Sequence, residues 1–172
     1  MIRIFPILLM EPIRQTKREK SFAMKKLCGF VLTVLLLACV SPMRSDFEQH
    51  QKQWREANIA HYRFELNMVC FCTFRNRMPL QIEVLNGQVA AMTDNTGKAI
   101  TAADAHYDFF ARYATIDRLF SELQTSLNGK VDQIAVAYHP SYGFPTRINI
   151  DPIQRAADDE LGLAVSAFER LP

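Results

Sequence analysis

The sequence predicts an α+β domain, an antiparallel β-sheet with helices packed on one face. Three observations carry that expectation. Segments of alternating apolar and polar residues recur through 61–93 and again after residue 132, as half-buried strands require. Asn86-Gly87 sits between two of them, a strong short-range hairpin signal. Between the two groups of strands, Ile116, Leu119, Phe120, Leu123 and Leu127 fall at helical spacing. The coarse order is a helix and three strands, twice over, without a residue-level repeat.

The N-terminus stands apart from this domain. Met24 opens the run MKKLCGFVLTVLLLACV, in which Lys25 and Lys26 precede 12 apolar or small residues, Leu27 to Ala38. A basic start, a short apolar stretch and a small residue at the cut form a secretory signal. The stretch is well short of the ~20 residues that span a bilayer as a helix. Leu36-Leu37-Ala38-Cys39 resembles a bacterial lipobox, which implies cleavage before Cys39 and lipidation of its thiol. Acyl chains contribute ~0.8 kcal/mol per buried CH₂, so several of them hold a protein firmly on a membrane. Val40 stands where that resemblance would place an Asp for inner-membrane retention, so the outer membrane, facing the periplasm, is the expected location. The expected organisation is an upstream extension without structural role at 1–23, a signal peptide at 24–38, a lipidated Cys39 and short tether to residue 45, and one domain over 46–172.

Removal of the signal changes the charge. Seven of the 20 Lys and Arg and two of the 18 Asp and Glu precede Cys39, leaving 13 basic and 16 acidic groups, a net of −3. No basic surplus remains to recommend nucleic acid as a partner. The expected partners are the membrane, through Cys39, and an envelope protein.

Within the domain, Ser45-Asp46-Phe47-Glu48 has capping-box spacing and predicts a helix from there to about Ala60. Phe47 and Trp54 share one face of it. Next, Tyr62, Phe64, Leu66, Met68, Cys70, Cys72 and Phe74 alternate along one strand face, with Arg63, Glu65 and Asn67 on the other. Leu80, Ile82 and Val84 predict a second strand, and a third runs from the Asn86-Gly87 turn to about Thr93. DAHYDFFARY suggests a short helix. Thr115 caps the convincing one, which Asn128-Gly129 stops. QIAVAYH and TRINID read as strands joined by the turn-rich PSYGFP, and LGLAVSAF reads as a strand or a short helix.

Several landmarks recur in a known order: Trp54 with Tyr62 and Phe64, Cys70 with Cys72, Pro79, Asn86-Gly87 with Val89, and Ile116 with Leu119-Phe120. Val136 with Tyr138, Gly143-Phe144-Pro145-Thr146, Asp151 and Asp158-Asp159-Glu160 follow. At these spacings they resemble a bacterial lipoprotein family known only as domain of unknown function 6174. The resemblance implies a secreted lipoprotein and supplies no activity. His139 departs from it, standing where the pattern implies an Asp.

Three groups of residues are candidates for function. Cys70 and Cys72 lie ~6.6 Å apart if the strand is flat, whereas a disulfide needs Cβ atoms ~3.8 Å apart. A bridge therefore requires a bulge or the end of the strand. An even pair in an oxidising compartment is normally bridged, although a loop of three residues contributes only ~1.6 kcal/mol in the chain-entropy model. Two packed thiols, a redox pair, or Cu(I) held by Met68, Cys70 and Cys72 are the alternatives, since soft sulfur ligands select Cu(I). Against copper, the same face carries Tyr62, Phe64 and Leu66, where Met usually fills core. The second group, Asp151, Asp158, Asp159 and Glu160, offers hard oxygen ligands but lacks EF-hand spacing. The third is a binding loop, Tyr138, Tyr142, Gly143, Phe144 and Pro145, stiffened by proline and carrying rigid aromatics. Its aromatics equally suit folding back onto the core. Val69 and Phe71 add an apolar patch on the outer face unless the 94–114 segment covers them.

Catalytic motifs are absent: no G-x-S-x-G, H-E-x-x-H, P-loop or dinucleotide fingerprint occurs. The sequence calls for no cofactor. A hydrolase assembled from Asp151 and His139 is the remaining enzymatic reading. The expected function is a non-enzymatic binding module on a lipid anchor, with a copper or thiol redox protein as the alternative.

Overall fold

The structure, a computed structural model, describes residues 42–156 and 158–172. Cys39 and the signal segment lie outside the described residues. Helix α1 spans Pro42–Ala57. Proline suits a first helical turn because its fixed φ is already helical and its missing N–H has no partner there anyway. Ser45 therefore lies inside the helix, and its hydroxyl donates to the Pro42 carbonyl at 2.9 Å. The expected capping box at Ser45–Glu48 does not form, and residues 42–45 are helix instead of tether. Asn58, at φ 46°, ends α1 in the left-handed conformation that asparagine tolerates, earlier than the expected Ala60.

Strand β1 is His61–Val69, with Tyr62, Phe64, Leu66 and Met68 buried as the alternation requires. The alternation in the sequence continues to Phe74, but the strand stops at Val69, where the cysteine turn begins. A 3₁₀ turn at Arg75–Arg77 leads to β2, Leu80–Leu85. Asn86 and Gly87 both take positive φ, 51° and 75°, and close the hairpin to β3, Gln88–Thr93. Helix α2 is the short segment Tyr107–Ala111, and α3 is Ile116–Asn128. The Thr115 hydroxyl accepts the Arg118 backbone N–H at 3.1 Å, the cap expected there. Arg77 ties the connection between β3 and α2 to the 3₁₀ turn. Its guanidinium makes a forked pair with Asp104 at 3.0 and 2.8 Å, reaches Asp94 at 3.4 Å, and lies over the Phe110 ring.

Strands β4, Gln133–Tyr138, β5, Pro145–Asp151, and β6, Leu161–Arg170, complete one six-stranded sheet of order β3-β2-β1-β6-β5-β4. Every pairing is antiparallel. The ambiguous LGLAVSAF segment is thus a strand, and it lies in the middle of the sheet. Its register on β1 shifts opposite Arg63 and Glu65, where Ala167 takes φ 48°. This bulge moves Phe168 onto the core side, against Tyr62 and Trp54.

One face of the sheet is covered. Cross-strand rows Tyr62–Val84, Phe64–Ile82 and Leu66–Leu80 build the core on one side, and Met68–Leu163–Ile148 extends it on the other. From α3 come Ile116, Leu119, Phe120 and Leu123, and from α1 come Phe47 and Trp54. Phe47 meets Phe120 edge-on, and the Trp54 indole N–H donates to Asp117 at 3.2 Å. Full burial of each such apolar side chain stabilises by about 1.5–3 kcal/mol. On the opposite face of β1, Arg63, Asn67 and Val69 are exposed, and no helix among the described residues lies over them. No described helix is long and apolar enough to cross a membrane.

Candidate functional site on the open face of the sheet

Cys70 and Cys72 are disulfide-bonded, with Cα atoms 5.2 Å apart. That is closer than the ~6.6 Å of a flat strand, because the chain folds into a tight turn in which the Cys72 N–H donates to the Cys70 carbonyl at 2.9 Å. Arg75 braces the turn by donating to the same carbonyl at 3.1 Å. Between the two sulfurs the turn holds Phe71 out in solvent at 76% exposure, and Val69 beside it is 59% exposed. The 94–114 segment therefore does not cover this patch.

The copper arrangement is not assembled. Both sulfurs of the cysteines are in the disulfide, so neither is a thiolate, and the Met68 thioether is in the core at 2% exposure. The acidic group fares no better as a metal centre: among the described residues, no three His, Cys, Asp or Glu converge on a common point. Asp151 and Asp159 each leave one buried carboxylate oxygen without a hydrogen bond. Burial and the nearby Asp159, Glu160 and Asp132 raise the Asp151 carboxyl above its ordinary range. This end of the sheet thus concentrates negative charge without gathering a ligand set.

The loop after β4 belongs to the core. Phe144 is 1% exposed and packs on Trp54, Phe168 and His139, and Gly143 and Pro145 are buried as well. Gln53 of α1 donates to the Pro140 carbonyl at 3.0 Å. Tyr138 stacks on His50, and burial pushes its phenol up to about 12. Tyr142 is partly buried against Phe168. Gly143, Phe144 and Pro145 cannot form a contact surface, because packing has already used them. His139 and Asp151 also lie at opposite ends of β5: Tyr138 pairs with Pro145, and Gln133 with Asp151. Six residues of strand separate those ends by about 20 Å, too far for one catalytic pair.

The sheet's uncovered face carries the concavity that the loop does not. A groove of about 620 Å³ opens over β1, β6, β5 and β4, bounded at one end by Phe71 and Arg75 and by the acids Asp151, Asp158 and Glu160. Gly162 and Ala164 of β6 line its floor. Beside them lie Asn67 and Val69 on β1 and Arg147 and Asn149 on β5, their direct pairing partners. A Cβ at Gly162 would come within 3.3 Å of both the Asn149 side chain and Val69, a tight approach that a neighbour must relieve by a few tenths of an ångström. Sequence reasoning did not single out Arg147, Asn149, Gly162 or Ala164. The signal was present as parity: Arg147, Asn149 and Asp151 alternate outward in TRINID, and Gly162, Ala164 and Ser166 do so in the next strand.

The model of a family described as "Family of unknown function (DUF6174)" matches residues 46–170. The chain belongs to this family. The match runs from α1 through β6, so the groove, the disulfide turn and the core loop all lie inside the family's domain. No curated protein and no solved structure matches the chain.

Proposed function

We propose that this chain is an envelope lipoprotein, anchored through Cys39 to the periplasmic face of the outer membrane, whose domain binds a partner without performing a reaction. The observation that carries the binding role is the exposed Phe71 on a disulfide-held turn at the rim of the open-face groove. A large aromatic held rigidly in solvent costs little entropy when it becomes a contact, and aromatic anchors dominate interface energetics. The lipobox and the basic, short apolar segment before it support the anchor.

Two experiments test the two halves. Metabolic labelling with an acyl donor should mark the protein, and Cys39→Ser should remove the label. For the binding role, a photoreactive aromatic amino acid placed at position 71 should cross-link in intact cells to a species of discrete mass. The same group at Leu85, exposed but remote along β2, should not. Equal cross-linking from both positions, or none from either, counts against the open face as the binding face.

A further inference from the structure

The groove has a charge polarity that points to its occupant. Gly162 and Ala164 leave β6 low, so a trough runs along it between the side chains of β1 and β5, about 10 Å apart. Arg147 and Asp151 project from the same face of β5, four residues and about 13 Å apart. Arg147 makes no ion pair among the described residues. Asp151 stands at the other end with Asp158 and Glu160, three acids against the one guanidinium of Arg75, and burial first, then the neighbouring acids, raise the Asp151 carboxyl. Val69 and Phe71 are the apolar surface beside them. A polyanion would meet the acids, and a purely apolar ligand would leave Arg147 and the acids desolvated and unpaired.

An extended polypeptide matches this pattern. Its residues i, i+2 and i+4 face one way and span the same ~13 Å. We infer that the trough holds an extended segment of a partner protein with a carboxylate side chain against Arg147, a Lys or Arg four residues away against the acidic end, and an apolar residue between them against Val69 and Phe71. This rests on the open face being the binding face, as proposed above.

The test is an NMR titration of the full-length protein in detergent micelles, reading the Gly162 amide on the trough floor. The probes are two capped peptides with the cores Glu-Ser-Leu-Ser-Lys and Lys-Ser-Leu-Ser-Glu, covering both chain directions, and the neutral control Ser-Ser-Leu-Ser-Ser. One charged peptide should shift Gly162 and bind about tenfold more tightly than the control. Arg147→Glu should erase that advantage, and a peptide with Lys at both ends should recover it on the variant. No preference for the charged peptides, or a preference that Arg147→Glu leaves intact, overturns the inference. A Gly162 shift that appears on concentrating the protein alone would make the occupant a second copy, which also overturns it. A specific cross-link from position 71 together with indifferent peptides would sink this inference while leaving the binding face standing. Loss of both would sink the two together.

Discussion

The Tyr62 hydroxyl accepts the backbone N–H of Ile116 at 3.1 Å, joining the start of the central strand β1 to the first residue of α3. A helix leaves its first N–H groups without intrahelical partners, and here one is buried under the sheet. Burial also holds the Tyr62 phenol protonated, well above its ordinary range. Tyr62→Phe keeps the ring against Trp54 and Phe168 and removes only the acceptor. It should cost about 1–3 kcal/mol, the usual penalty for orphaning a buried donor. Urea unfolding of the two proteins, with an unchanged slope, measures it.

Gly143 takes φ 75°, and a Cβ there would lie 2.6 Å from the His50 carbonyl and 2.9 Å from Gln53. Strain and collision act together, both against backbone or near-backbone atoms of α1. Gly143→Ala should destabilise by more than about 1 kcal/mol. The same change at Gly87, where nothing lies within 4 Å, meets only the strain of its own φ of 75° and should cost less. Thermal melts of the pair rank them directly.

Two charged clusters give stability opposite dependences on pH. The Arg77 guanidinium beside Asp104 holds that carboxyl near 2, and hydrogen bonds from Thr96 lower Asp94 as well. A carboxyl depressed in the folded state contributes fully above its unfolded value near 4, and that contribution is lost as pH falls toward 2. His61 is raised instead, by its hydrogen bond to Glu83 first and to the Pro172 carbonyl second. Its contribution is complete below 6.5 and disappears as pH rises through the raised value. Melting temperature should thus decline on both sides of a plateau near pH 5–6. Arg77→Gln should flatten the acid limb and Glu83→Gln the neutral one. A limb that persists in its own variant would show that other groups produce it.

His139 Nδ1 accepts the backbone N–H groups of Ser141 and Tyr142, each at 3.2 Å. This is what an Asp side chain does in an Asx turn, so the histidine here can hold the turn that the expected aspartate would make. Both contacts need a lone pair on Nδ1, so the proton of the neutral ring is on Nε2. His139→Asp should leave stability within about 1 kcal/mol, while His139→Ala orphans two N–H groups and should cost more. Equal losses in both variants would mean that the imidazole's stacking on Phe144 and Tyr142 matters more than the turn.

Much of the architecture was legible because local rules and burial agreed. The alternation in β1, the Asn86-Gly87 turn and the Thr115 cap each had a single cheap reading, and the structure adopts it. Where sequence reading slipped, two local signals competed. The Ser45–Glu48 pattern marks a helix start by spacing, but in the structure residues 42–45 are already helical. Alternation through Cys72 and Phe74 argued for a longer β1, but the disulfide turn ends it, and Phe74 regains the core from beyond the turn. The site was less legible than the fold. Whether Phe144 points out or in depends on Trp54 and Phe168, 90 residues before it and 24 after it. The groove exists because register places Gly162 between Val69 and Asn149, and that register spans three strands.

The last strand, β6, sits between the first strand and the fifth. A chain delivered N-terminus first, by a ribosome or a translocation pore, can therefore form two separate three- and two-stranded fragments but cannot join them. Each fragment must wait with a bare strand edge until residues 161–170 arrive as the seam. Contacts between β1 and β6 close loops of about a hundred residues, and such closures come late and slowly. Without residues 161–170, β1 and β5 have no strand between them, and the floor of the groove beside Phe71 is missing. Strand order thus makes the joining of the two halves the late step of folding, whatever the order in which the halves themselves form.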